Sequence, residues 1–164
     1  MLKVPYSFTV DRRALIIGGL AALALTSSPG LARSKRPTIL FVCQFGSVKS
    51  AITRELFRKR AAERGFAVRA FSRGITPQAH LDPNLRTILT KEGINPDSDG
   101  LRKLQPKDLK RADITVLFDR LPDGMTAQAV RDWSDTGSFN QAYAVHRPGL
   151  LARIDSLIDE LTKK

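Results

Sequence analysis

The stretch Thr38-Ile39-Leu40-Phe41-Val42-Cys43-Gln44-Phe45-Gly46-Ser47-Val48-Lys49-Ser50 leaves this chain few ways to fold. A β-branched residue and four apolar ones read as a strand buried on both sides, which a parallel sheet between two helical layers provides. The strand stops at a cysteine. A short loop holding Gly46 and Ser47 follows, and a helix opens at about Val48. That order builds an anion site, because the amides of the loop and first helical turn have no partners of their own and point at whatever sits there. N–H groups aimed at a thiol favour its thiolate, the reactive form. An unpaired cysteine at a strand end also fits as a small buried hydrophobe. The loop and the downstream pattern favour the reactive reading.

Residues 51–64 are amphipathic, with Val48, Ala51, Ile52 and Leu56 on one face, and Gly65 ends them. A second strand is expected at 66–72, which completes a strand–helix–strand unit with parallel strands. Residues 72–77 form a loop. Asp82 and Pro83 suit the N-cap and first position of a helix whose inner face is Leu85, Ile88 and Leu89, and which Gly93 ends. A polar extended segment at 94–104 leads to a short helix at 105–111. The strand at 112–119 is the cleanest in the chain; a weaker one is expected at 127–133. The last helix carries Leu150, Leu151, Ile154, Leu157, Ile158 and Leu161, and Pro148-Gly149 is expected to kink it or split off residues 138–146. Alternating strands and helices imply an α/β fold, an open four-stranded parallel sheet with helices on both faces. Ligands of such sheets bind beyond the carboxyl ends of the strands, where Cys43 lies.

Residues 1–32 read as an export signal and 33–164 as the domain. A basic region ends in Arg12-Arg13, a 12-residue apolar run follows from Ala14 to Leu25, and small residues up to Ala32 suit cleavage. The run is short of the roughly 20 residues that span a bilayer, so no stable membrane anchor is expected after cleavage. Thr-Val-Asp-Arg-Arg-Ala-Leu-Ile at 9–16 resembles the bacterial twin-arginine signal, with an ordinary secretory signal as the alternative. The expected location is periplasmic or otherwise exported.

Removing Lys3, Arg12, Arg13 and Asp11 from 27 basic and 16 acidic residues leaves 24 and 15. That surplus favours anionic partners. Nucleic acid is not expected, since the charges are scattered, with no arginine stripe and no interleaved stacking aromatics. One cysteine excludes an internal disulfide. His80 and His146 are far apart and read as surface residues, so no metal site is expected.

Cys43, five residues, a basic residue and Ser50 after an Ile-Leu-Phe-Val strand resemble the phosphate-binding loop of the low-molecular-weight protein tyrosine phosphatases and of the related thioredoxin-coupled arsenate reductases. Ser-Arg-Gly-Ile-Thr-Pro at 72–77 is similar to the segment after their second strand. The resemblance runs over residues 37–162. It implies that Cys43 is the nucleophile, that Lys49 and the loop residues Gln44, Phe45, Gly46, Ser47 and Val48 hold the phosphoryl oxygens, and that Ser50 supports the sulfur. Lys49 stands where the families have Arg, a point charge in place of a two-donor fork. Ser47 stands near an Asn that braces the loop in the families, so that brace is expected to be missing. The acid is implied at Asp135, in the Trp-Ser-Asp-Thr-Gly stretch, with Asp132 as the alternative; Asp135 also suits a helix or turn cap.

Three functions follow. The first is a phosphomonoester hydrolase acting through a cysteinyl-phosphate, on phosphorylated protein or a small aryl phosphate, with no cofactor, as a monomer or weak homodimer. The second is a catalytically weak or inactive oxyanion binder on the same scaffold. The third, arsenate reduction, needs further cysteines to relay the disulfide, and Cys43 has none.

Overall fold

The computed structural model describes residues 36–163. The expected signal at 1–32 lies outside the described residues. Among the described residues eight elements follow in order: β1 (Thr38–Cys43), α1 (Lys49–Glu63), β2 (Arg69–Gly74), α2 (Pro83–Lys91), α3 (Pro106–Arg111), β3 (Ile114–Leu117), β4 (Val130–Asp132) and α4 (Phe139–Thr162). The strands form one parallel sheet in the order β2-β1-β3-β4. β1 therefore runs between two neighbours, and all six of its residues are buried. That explains its unbroken apolar run.

Two apolar layers cover the sheet. On one face Ile39 and Phe41 pack with Ile52, Leu56 and Phe57 of α1, Leu85 and Leu89 of α2, and Leu150, Ile154 and Ile158 of α4. On the other, Leu40 and Val42 pack with Phe71, Leu104 and Leu109, the last from α3. The expected α/β sheet with helices on both faces is the observed one.

Element limits differ from the expected ones where local pattern competes with pairing. β2 begins at Arg69, not 66, because its register runs from Thr38↔Arg69 to Cys43↔Gly74. β3 and β4 are shorter than expected, and β4 is a three-residue edge strand. α2 is capped as expected, with the Asp82 side chain accepting from the Asn84 and Leu85 amides. Its inner face, however, is Leu85 and Leu89; Ile88 is 43% exposed. In α4 the break falls at Ala142 (φ −149°, ψ 45°), not at Pro148-Gly149. Pro148 therefore lies within the second, continuous part of the helix.

The least expected core residue is Arg54, wholly buried on α1. Its guanidinium donates to Ser72 Oγ (2.6 Å), the Pro96 carbonyl (2.8 Å), Ser98 Oγ (2.9 Å) and Glu55 Oε1 (2.8 Å). A buried charge is tolerable when every donor is taken, and this one ties α1 to β2 and to residues 96–98.

Candidate active site

The site forms where β1 ends. Beyond Cys43 the backbone leaves the sheet but keeps a partner: the amides of Ile75, Thr76 and Gln78 donate to the carbonyls of Cys43 (3.1 Å), Gln44 (2.9 Å) and Phe45 (3.1 Å). The loop then turns at Gly46, in the left-handed region at φ +75°. A Cβ there would sit 2.7 Å from the Gly74 nitrogen. The position therefore needs glycine both for its conformation and for the space.

This turn brings the Gly46 amide to 3.2 Å from Cys43 Sγ, and Ser50 Oγ to 3.0 Å from the same sulfur. The sulfur is buried at the base of the loop. α1 starts with Val48 as N-cap and no capping side chain. The amides of its first turn have no intrahelical acceptor, and they follow directly on the loop that holds the sulfur.

Two further groups brace the loop. Asp119, just past β3, accepts from the Gln44 amide (2.9 Å). Ser47 Oγ accepts from the His80 amide (3.0 Å). Ser47 thus ties the loop to the backbone at residue 80. Gln44 Nε2 also donates to Thr76 Oγ1 (2.5 Å). The His80 ring lies 4.7 Å from that of Phe45, and Asn140 Nδ2 donates to the His80 carbonyl (2.6 Å).

Above the sulfur is a cavity of about 290 Å³, into which Cys43, Gln44, Phe45, Val48 and Lys49 all open. Lys49 Nζ stands 5.9 Å from the centre of the Phe118 ring. The cavity wall also includes Thr136, Gly137, Ser138, Phe139 and Asn140, from the start of α4 and the loop before it. Among the sequence-derived site residues, Gly46, Ser47 and Ser50 support the loop rather than line the cavity.

Asp135 is next to this wall but does not line it. Its carboxylate takes both prongs of Arg153, at 2.6 and 2.5 Å. The hydrogen bond from Arg153 holds the Asp135 carboxyl below its ordinary pKa. Asp132 accepts from the Ser134 amide (2.8 Å), and hydrogen bonding from Ser134 lowers its pKa too. Asp132 faces a neighbouring cavity, which it shares with Asp119. Asp119, His80, Ser138 and Asn140 were not found from the sequence. Asp119 had a signal, since it sits near the carboxyl end of a strand, as Cys43 does. His146, read as a surface residue, is half-buried against Gly137, leaving no room there for a Cβ.

The family of low molecular weight phosphotyrosine protein phosphatases matches residues 38–134, more than half of the chain. The chain belongs to this family. The match begins with β1 and stops one residue short of Asp135. Solved structures agree on the fold. YfkJ from Bacillus subtilis is 19% identical with a TM-score of 0.63, covering 80% of this chain and 98% of its own. The low molecular weight protein tyrosine phosphatase of T. tengcongensis is 19% identical with a TM-score of 0.57, covering 76% and 99%. The thioredoxin-dependent arsenate reductase of Corynebacterium glutamicum is 22% identical with a TM-score of 0.53, covering 80% of this chain and 62% of that one. No curated protein matches by sequence. The matched residues include β1, the loop and α1, and with them Cys43, Lys49 and Ser50.

Proposed function

We propose that this phosphatase hydrolyses phosphomonoesters through a cysteinyl-phosphate. The observation that carries the reading is the Cys43 sulfur, in contact with the Gly46 amide and the Ser50 hydroxyl at the base of a cavity that Lys49 borders. In the first step the Cys43 thiolate attacks phosphorus; the S–P bond forms, the ester P–O bond breaks, and the leaving oxygen takes a proton from an acid. In the second, the carboxylate left by that acid takes a proton from water as the water oxygen attacks phosphorus, the S–P bond breaks, and phosphate and thiolate are released. Lys49 and the first-turn amides of α1 offset the charge on the equatorial oxygens. Ser50 stabilises the thiolate as attacking and leaving group.

Asp135 is the proposed acid. It must first leave Arg153, whose pairing keeps the carboxyl ionised. The Phe45–His80 ring pair at the mouth suits a flat aryl ester, so phosphorylated protein or a small aryl phosphate is the proposed substrate. We place the protein outside the cytoplasm on the strength of residues 1–32.

A second reading has its own support. Lys49 in place of a two-donor fork, together with an Asp135 held by Arg153, suits an oxyanion binder with little or no turnover. Arsenate reduction through a disulfide relay is disfavoured by the single cysteine.

Hydrolysis of p-nitrophenyl phosphate by wild type, Cys43→Ser and Lys49→Arg separates the two. Turnover in wild type that Cys43→Ser abolishes supports the hydrolase. An inert wild type that Lys49→Arg awakens supports the binder.

A further inference from the structure

The open edge of the sheet carries a second basic pocket. β2 is the outer strand, and Arg69, Phe71 and Arg73 alternate along it, so they share one face. A cavity of about 380 Å³ forms there, lined among others by Arg58, Arg69, Arg73, Arg102 and Arg111. It shares no residue with the cavity above Cys43. Arg69 is five residues along β2 from Gly74, the partner of Cys43, or about 16 Å at ~3.3 Å per residue.

Arginine on an edge strand has an ordinary use, which is to keep another sheet from pairing with it. Here the outward carbonyls of the edge are already taken. The carbonyls of Ala70, Ser72 and Gly74 face the open edge, and each has a donor: Arg58 Nε (3.1 Å), Arg73 Nη1 (2.7 Å) and the Leu104 amide (2.8 Å). Two of the five guanidiniums are also neutralised. Arg58 pairs with Glu55 and Asp99, and Arg73 with Asp108 at 3.0 Å.

Arg69, Arg102 and Arg111 remain. Among the described residues none of them forms a salt bridge. They come from three different segments, β2, the stretch before α3, and the end of α3. Arg111 is further held with its guanidinium carbon 4.4 Å from the centre of the Phe71 ring, and Arg73 stands 4.8 Å from the same ring. Like charges gathered in one concavity repel each other, and a bound anion relieves that cost. Guanidiniums fixed by an aromatic ring lose less freedom on binding.

We infer that this pocket is a second anion site, for a small multivalent oxyanion of the pyrophosphate class. Three uncommitted guanidiniums around one concavity match several oxygens at once, in the forked geometry that arginine offers.

The test is calorimetric titration of the full chain with inorganic pyrophosphate, in wild type, in Arg69→Ala/Arg111→Ala, in Arg102→Gln, and in Lys49→Ala. Arg102→Gln removes an exposed, unpaired charge and leaves the core untouched, so it stays informative if the double variant is poorly folded. The expected result is a binding component that survives Lys49→Ala and weakens about tenfold or more in both arginine variants. Hydrolysis of p-nitrophenyl phosphate is expected to be the same in Arg102→Gln as in wild type. The inference is overturned if Lys49→Ala removes all pyrophosphate binding, or if Arg102→Gln titrates like wild type. Neither outcome depends on whether Cys43 forms a phosphoenzyme.

Discussion

Gly46 and Gly74 touch backbone to backbone: a Cβ on Gly46 would lie 2.7 Å from the Gly74 nitrogen, and one on Gly74 would lie 2.7 Å from the Phe45 carbonyl oxygen. This contact fixes the loop against the end of β2, and it is what turns the Gly46 amide onto the Cys43 sulfur. Gly46→Ala must both hold φ +75° and displace backbone. We expect it to cost about 1–3 kcal/mol of stability and most of the oxyanion affinity of the loop. Denaturant unfolding and phosphate titration measure the two effects. Unchanged values for both would show that the loop has room to relax.

Replacing Cys43 by Ser keeps the loop's hydrogen bonding and removes the nucleophile. Turnover of p-nitrophenyl phosphate is expected to drop on the order of 10³-fold or more, with the melting temperature nearly unchanged. Lys49→Ala is expected to lose about 10²–10³ in rate through lost charge stabilisation, and Lys49→Arg to gain over wild type. A Lys49→Arg chain slower than wild type would mean that the loop is shaped for the ammonium.

The pairing of Asp135 with Arg153 makes two predictions. Because the pair lowers the folded-state pKa of Asp135 below 3.8, its stabilisation is present above the unfolded pKa and is lost as pH falls through the folded value. The stability difference between wild type and Arg153→Ala should therefore close below about pH 4. Freed from Arg153, Asp135 keeps its proton to higher pH. If it is the acid, Arg153→Ala should raise hydrolysis near pH 5, within about tenfold. Rates that ignore Arg153 while collapsing in Asp132→Asn would move the role to Asp132.

Tyr143 is buried on α4 with its hydroxyl 3.2 Å from Glu92, whose carboxylate also accepts from Arg147. Burial, and then the charge of Glu92, push the phenol up to about 12. Unfolded tyrosine ionises near pH 10, so the unfolded chain loses this proton first. Stability is complete below pH ~10 and falls as pH rises toward 12. Ultraviolet titration at 295 nm should show a late-ionising component that Tyr143→Phe removes. Its appearance near pH 10 would place the ring in water.

The strand–loop–helix frame around Cys43 was legible because each part follows from residues next to it in the chain. An unbroken apolar run needs burial on both faces, a glycine marks the turn, and an uncapped helix start supplies amides. The same holds for α2, where Asp82 and Pro83 announce the helix start, and for the α/β order of the elements. Local pattern failed where a long-range partner decides. Arg54 carries a charge and is nonetheless wholly buried, because Ser72, Pro96 and Ser98 arrive from elsewhere to take its donors. Ile88 fits the helical spacing of an inner face, yet nothing packs over it fully.

By itself, then, the sequence determined the sheet, the position of the one thiol at a strand's carboxyl end, and the lysine beside it. The tertiary structure alone decided that Asp119 and Ser47 brace the loop, that Arg153 pairs with Asp135, and that five arginines from four segments meet at the β2 edge. The physical reason is range. Backbone conformation and burial are written in neighbouring residues, whereas a charge's partner is fixed only when the packed sheet and helices bring distant segments within hydrogen-bonding reach.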